Sequence, residues 1–518
     1  MLRRMRPTDA QRLGAVFGID LDESEAIEYA ALADQLLVTL DELGHGPDAP
    51  PPPPTGRSRR DLGRADAHDD PYNAIARRCE VVSGGEGPLS GTRIAVKDTI
   101  AVAGVPLTAG SRVLQGFVPQ EDSAVVQRLL SSGAEIVAIT NTDYLALSGG
   151  GDTSFYGPIL NPFDVTRTTG GSSGGSGAAL HYDWIDVTLG GDQGGSIRVP
   201  ASWCGVIGLK PTYSLVPYTG IVGLDPTIDH VGPMGRAARD VAAVLAVIAG
   251  KDGEDHRQYD VPTMDYLADV DNATGSLDGV TLGVLVEGLD KALGVDPRVE
   301  SAFRDAVERL REIGARIIDV SAPAHLRAGP VGFATFLEGM AATAMSGGSG
   351  YGTTGRHWPE LAAALHMGLG RHADQLSPQS KIMFILGLYL QRQYGGAIYS
   401  EAQNLRPALT ASYDEALKSC DAILMPTTPG LPHEADAGLS MADVVLRGWA
   451  VLGNTSPTNL TGHPAISLPM ADVDGLPVGV MAVGTRFGDG ALLRLASDIE
   501  RSCGWFQGEL DTSLRASG

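Results

Sequence analysis

A chain of 518 residues, 43% hydrophobic and 19% charged, has the composition of a globular protein with a sizeable core, and its length allows about three average domains or one large α/β body. The formal charge of −23, from 39 basic and 62 acidic residues, argues against a polyanionic partner, so neither nucleic acid nor an acidic membrane surface is expected. Cys79, Cys204, Cys420 and Cys503 are scattered without Cys-x-x-Cys spacing, and no phosphate loop or His-Glu-x-x-His helix occurs, so no metal and no cofactor is expected.

Met1 to Arg6 is basic but runs into Pro7-Thr8-Asp9 without an apolar core, and no later stretch reaches roughly 18 uncharged apolar residues. A cytoplasmic protein with no export signal and no membrane span is the expectation. Residues 1–48 read as an N-terminal helical segment, with helices over 8–44 and an apolar face of Ile27, Ala30, Leu32, Leu36, Leu37 and Leu40. That face packs on the main body or forms a homodimer contact. The unbroken proline run 50–54 makes residues 49–70 an extended linker.

Residues 71–518 form the catalytic body. From Gly91 the pattern alternates: a strand at 92–97, a helix at 122–132 carried by Ala124, Val125, Leu129 and Leu130, and a strand at 135–140. This β–α–β unit leaves Lys97 at the carboxyl end of a strand, where ligands of open α/β sheets tend to bind. Further strands are expected at 185–189, 206–209, 280–286, 316–320, 422–425, 465–468 and 478–482. Helices are expected at 240–249, 297–313, 408–417 and 489–501. Residues 329–399 differ, being helical with a glycine-rich break at 346–350, and are expected to form a variable wall of a substrate pocket, with Phe333, Phe336, Phe384 and Tyr389 as candidate lining residues.

The stretch that carries chemistry begins Gly170-Gly171-Ser172-Ser173-Gly174-Gly175 and continues to Gly190-Gly191-Asp192-Gln193-Gly194-Gly195-Ser196. Paired glycines around a serine describe a tight backbone that presents a hydroxyl. A helix is expected to begin after Ser173, its N-terminus set by the serines. Successive N–H groups of Gln193, Gly194 and Gly195 form a concavity suited to an oxyanion. A serine needs a base, and a serine–lysine pair is one solution; Lys97 follows the apolar run Ile94-Ala95-Val96, and burial lowers a lysine's proton affinity toward the working pH.

With Lys97-Asp98 upstream, a Ser172–Ser196 separation of 24 and Cys204-Gly205-Val206-Ile207-Gly208-Leu209-Lys210-Pro211-Thr212 downstream, the chain resembles the amidase-signature hydrolases. The Gln193 form of the second loop, with Val216-Pro217-Tyr218-Thr219-Gly220, is similar to bacterial amidases associated with nitrile degradation. The resemblance implies an α/β fold with a central mixed β-sheet covered by helices on both faces. It also implies a Ser–cisSer–Lys triad: Ser196 the nucleophile, Ser172 the relay beside a cis peptide, Lys97 the base. Ser173 and Asp192 would support the network, and the loop with Leu147, Gly149 and Gly150 would face the site. His181-Tyr182, where small residues are usual, departs from the family pattern.

The expected activity is hydrolysis of a C–N bond in a small amide, anilide or carbamate, with a homodimer suggested by related bacterial amidases. Two other readings stay open. Gly171-Ser172-Ser173-Gly174-Gly175 also satisfies the G-x-S-x-G elbow of α/β-hydrolase esterases, with Ser173 as nucleophile and His463 as its base. An amidotransferase subunit would use the same Ser196 triad to release ammonia from glutamine.

Overall fold

In the computed structural model, residues 2–41, 58–82, 84–348, 350–436, 438–511 and 513 are described. The chain divides into two units, Met1–Pro53 and Pro54–Gly518.

In the first unit, helices Pro7–Val16 and Glu23–Asp41 pack on each other. Ala10, Ala26 and Ala30 are the buried residues, small enough for close helix approach, and the Met5 N–H donates to Asp34. Within this unit Ile27, Leu32, Leu36 and Leu40 are not part of the buried stripe. The alanine stripe has the same helical period and is masked in the sequence by the larger leucines. The proline run 50–54 lies outside the described residues.

The second unit is built on one sheet. Its strands are β1 (Ser58–Gly63), β2 (Ile75–Val82), β3 (Arg93–Lys97), β4 (Glu135–Thr140), β7 (Val187–Asp192), β8 (Ile207–Lys210), β9 (His230–Gly235), β10 (Thr281–Leu285), β11 (Arg316–Val320), β12 (Ala422–Pro426), β13 (Ala465–Val473) and β14 (Leu476–Val483); β5 (Leu160–Asn161) and β6 (Asp164–Thr168) form a separate small ribbon. The order across the 12-stranded sheet is β1-β2-β4-β3-β7-β9-β8-β13-β14-β12-β10-β11. β3 runs parallel to both β4 and β7, and β10 parallel to β11 and β12, while the remaining pairs are antiparallel. The sheet is therefore mixed, as the family resemblance implied.

β1 falls within the stretch expected to be linker. Its charged residues hide it from a periodicity reading, yet they are what anchors it: Arg59 pairs with Asp122 at 2.5 Å and Asp61 with Arg77 at 2.7 Å. Charged edge strands of this kind also discourage further pairing.

Helices Ala124–Ser131, Ala238–Ile248, Pro297–Glu312 and Asp489–Cys503 contribute buried faces to the core, for example Val125 and Leu129 or Phe303 and Leu310. Ser123 caps the first, its Oγ accepting the Val126 N–H, and Asp296 the third, accepting the Arg298 N–H. The 329–399 region is helical over Ala328–Met345, Pro359–His372 and Pro378–Tyr394. The first of these ends at Met345 and is followed by Gly347 and Gly348, both at positive φ, which residues with a side chain rarely adopt. No helix among the described residues is long and apolar enough to cross a membrane.

Candidate active site

Lys97 closes β3, and Asp192 closes the parallel neighbour β7, so both stand at the carboxyl-terminal ends of adjacent strands. The peptide between Gly171 and Ser172 is cis. Gly171 Cα lies against the Asp143 carboxylate so closely that a Cβ would overlap Asp143 Oδ2, which makes glycine obligatory there. The Ser172 carbonyl accepts from Thr142 Oγ1 at 2.8 Å, and the helix Gly174–Ala179 starts directly after Ser173.

Lys97 Nζ lies 2.6 Å from Ser172 Oγ and 3.4 Å from the Gly191 carbonyl. The lysine is completely buried. Burial pushes its pKa down from 10.5 to about 7, with the Asp143 and Asp192 carboxylates pulling the other way. Much of this amine is thus neutral near pH 7 and able to take a proton.

Ser196 follows the second glycine loop and sits on the wall of a cavity of about 160 Å³. Among the described residues its hydroxyl makes no hydrogen bond, so the Lys97–Ser172 link is formed and the onward link to Ser196 is not. Ser173 ties the two serine segments together: its N–H donates to the Ser196 carbonyl at 3.1 Å. Its hydroxyl donates to the Gly191 carbonyl at 3.0 Å and accepts the Gly191 N–H at 3.2 Å. The expectation that these serines cap the following helix is corrected on this point, since the Ser173 hydroxyl is engaged by β7 and makes no cap.

The backbone N–H groups of Gln193, Gly194, Gly195 and Ser196 have no acceptor among the described residues, whereas the next one, Ile197 N–H, donates to Asp192 Oδ2 at 3.0 Å. Successive unoccupied donors of this kind form a concavity that could accept a negatively charged oxygen. Gln193, Gly194 and Ser196 line the cavity; Gly195 is not among the lining residues. Gly195 has φ +144°, and a Cβ on it would overlap Thr455 Oγ1, so this position admits only glycine.

This loop is held from behind. Asp192 and Arg198 form a fully buried ion pair at 2.9 Å. Burial acts to raise the Asp192 carboxyl, but the Arg198 guanidinium, helped by the Asn459 amide, holds it well below the usual carboxylate range. Arg198 also donates to the Thr455 carbonyl, Thr458 Oγ1 and Asn459 Oδ1, while Asn459 Nδ2 donates to the Asp192 carbonyl at 3.0 Å. The Gln193 side chain turns away, donating to Tyr218 Oη at 2.9 Å. Sequence reading missed this support from 452–459. Asn454-Thr455-Ser456-Pro457 has the composition of an ordinary turn, and the loop residues that Thr455 and Asn459 hold, Gly194 and Asp192, lie more than 250 residues away.

The cavity wall combines the loop after β4 (Leu147, Ser148, Gly149) with Phe333 and Phe336 of helix Ala328–Met345 and with Trp449. Phe333 and Trp449 meet edge to face with ring centroids 4.6 Å apart. Leu147, Gly149, Phe333 and Phe336 line the cavity, and Phe384 and Tyr389 are not among its lining residues. Gly150 is not among the lining residues: it is buried, its N–H donates to Ser148 Oγ at 3.0 Å, and a Cβ there would strike Asp152. Trp449, Leu452 and Met383 had no sequence signal distinguishing them from core residues. Among the described residues, no Asp, Glu, Lys or Arg lines the cavity.

The esterase arrangement is not formed. Ser173 is spent on Gly191, and His463 is buried elsewhere, with Nδ1 on Thr461 Oγ1 at 2.9 Å and Nε2 on Asp414 at 3.1 Å. Cys204 is also buried, and burial pushes its thiol well up, away from a thiolate. His181, the departure from the family pattern, is accommodated by a contact with the Cys204 carbonyl at 2.8 Å, and Tyr182 Oη donates to Asp70 at 2.7 Å.

Residues 72–493 match the family model described as Amidase. The chain belongs to the amidase signature family. Among curated members it is 35% identical over 512 residues to an enantioselective amidase of Rhodococcus rhodochrous, covering 96% of each chain. It is 38% identical over 437 residues to a glutamyl-tRNA(Gln) amidotransferase subunit of Halobacterium salinarum, covering 83% of this chain and 99% of that protein. Among solved structures, the corresponding amidotransferase subunit of Thermotoga maritima superposes with TM-score 0.70 at 29% identity, over 86% of this chain and 92% of that one. The native peptide amidase of Stenotrophomonas maltophilia superposes with TM-score 0.66 at 27% identity, over 82% of this chain and 85% of that one. This amidase-family chain is accordingly a hydrolase acting on C–N bonds.

Proposed function

We propose that the chain hydrolyses the C–N bond of a small, uncharged acyl amide, anilide or carbamate, through an acyl-enzyme on Ser196. The observation that carries this is the completely buried Lys97, with Nζ 2.6 Å from Ser172 Oγ and its pKa brought down to about 7. The neutral amine takes the Ser172 proton as Ser172 takes that of Ser196, and Ser196 Oγ bonds to the carbonyl carbon. The developing oxyanion is met by the unoccupied N–H groups of the Gln193–Ser196 loop. The proton returns through Ser172 to the nitrogen as the C–N bond breaks, and ammonia or an amine leaves. Water then attacks the acyl-enzyme, giving its proton to the same relay, and the acid departs.

The cavity supports an apolar acyl group. At about 160 Å³ it is close in size to the roughly 150 Å³ apolar cavity that admits benzene, so one aryl ring or a branched chain of similar volume fits. An identity of 38% to an amidotransferase subunit favours glutamine as a second reading. Glutamine brings an ammonium and a carboxylate, however, and burying either without a partner is costly. A wall with no Asp, Glu, Lys or Arg among the described residues suits the first reading better.

The test is hydrolysis of matched p-nitroanilide, primary amide, carbamate and ester substrates by the wild type and by Ser196→Ala, with glutamine in parallel. Turnover of an uncharged substrate by the wild type alone supports the reading. Full activity in Ser196→Ala, or turnover of glutamine only, overturns it.

A further inference from the structure

Three consecutive residues of the glycine loop have their carbonyls held and their N–H groups left open. The Ser196 carbonyl accepts the Ser173 N–H at 3.1 Å, and the Gly195 carbonyl accepts the Val199 N–H at 2.8 Å. The Gly194 carbonyl is different, because its partner is a side chain from a remote part of the sequence. Thr455 Oγ1 lies 2.6 Å from it, at the start of the helix Ser456–Thr461. The same hydroxyl is 3.3 Å from the Leu452 carbonyl, so its one proton goes to the much shorter contact with Gly194.

The Gly194–Gly195 peptide is not among the cis bonds, and in a trans peptide the C=O and the following N–H point in opposite directions across one rigid plane. Fixing the Gly194 oxygen therefore fixes the aim of the Gly195 N–H. With glycine on both sides, no side chain of the loop itself restrains that plane, and Gly195 already sits at φ +144°. Thr455 is itself immobilised: it is completely buried, and its carbonyl accepts Arg198 Nη1 at 2.8 Å.

We infer that Thr455 is a positioning residue for the hydrolysis, its hydroxyl holding the Gly194–Gly195 peptide plane so that the Gly195 N–H is aimed at the oxyanion. This rests on the proposed role of Ser196 and its loop. Thr455 touches no reacting atom, so its removal weakens an oxyanion donor without removing the nucleophile or altering the apolar wall. The expected signature is a fall in kcat with KM little changed, because the interaction is made in the transition state and not with the ground-state carbonyl.

The experiment measures kcat and KM of Thr455→Val, Thr455→Ala and Thr455→Ser beside Ser196→Ala, with the best uncharged substrate found for the wild type. Thr455→Val keeps the volume and loses the hydroxyl. Its kcat should fall at least about tenfold, bounded by the roughly 10²–10³-fold loss seen when an oxyanion donor is removed outright. Thr455→Ser should restore most of the rate, which a packing role for the methyl group would not produce. If Thr455→Val does not fold, Thr455→Ala is read in its place. Wild-type kcat in either folded variant, a loss confined to KM, or failure of serine to restore the rate overturns the inference. Ser196→Ala inactive with Thr455→Val fully active defeats this inference alone, whereas an active Ser196→Ala defeats the reading beneath it as well.

Discussion

Replacing Lys97 by methionine should abolish activity and make the protein more stable at neutral pH. The folded protein holds this amine at a pKa of about 7, while the unfolded chain holds it at the ordinary 10.5. Folding near neutrality therefore strips a proton that the unfolded chain keeps. The penalty is fully present below about pH 7 and disappears as the pH rises past 10.5. At about 1.4 kcal/mol per tenfold change, the gap amounts to about 4 kcal/mol at pH 7 and about 2 kcal/mol at pH 9. Methionine fills a similar volume without the penalty but leaves Ser172 Oγ without its 2.6 Å partner, a loss of about 1–2 kcal/mol. Urea unfolding should find Lys97→Met more stable than wild type by about 2–3 kcal/mol at pH 7, with the difference about 2 kcal/mol smaller at pH 9. A difference that does not change between these pH values would refute the assignment of a depressed, catalytically useful lysine.

The same protonation sets the rate. With neutral Lys97 as the base, kcat/KM should rise with pH up to about 7 and level off above it, falling tenfold for each pH unit on the acid side; a flat profile between pH 5.5 and 8 would contradict this. Asp192→Asn leaves the buried Arg198 guanidinium without its carboxylate and should destabilise the protein by about 3–5 kcal/mol, read as a lower urea midpoint; an unchanged midpoint would remove Asp192 from its supporting role. Trp449→Ala deepens the cavity behind Phe333, so the ratio of kcat/KM for a two-ring over a one-ring acyl amide should rise by about tenfold or more. No change in that ratio would place the acyl group elsewhere.

The local chemistry of the site is legible in the sequence to the extent that it is written in contiguous residues. Lys97 at a strand end, Ser172 and Ser173 between glycines, and Gly194-Gly195-Ser196 after a strand lie where the pattern puts them. Strand positions with strong apolar periodicity, such as 135–140 and 316–320, agree to the residue. What is not legible depends on partners far apart in the chain. Thr455 and Asn459 look like turn residues until the fold carries them to Gly194 and Asp192. β1 reads as a basic linker because its stability comes from ion pairs with Asp122 and Glu80. The N-terminal helices bury alanines, whose small side chains carry little weight in a hydrophobicity pattern. Gly150 reads as pocket lining because its neighbour Gly149 is, and only the turn around Ser148 Oγ separates them.

Ser196 as the carrier of the acyl group is the claim on which the rest depends. The most direct measurement is to quench the enzyme within its first turnovers of the p-nitrophenyl ester of an aryl acid, and to locate the added acyl mass by peptide mass spectrometry. The expected result is one acyl group per chain on the peptide containing Ser196, absent in Ser196→Ala. An acyl group on Ser173, or undiminished turnover in Ser196→Ala, would contradict it.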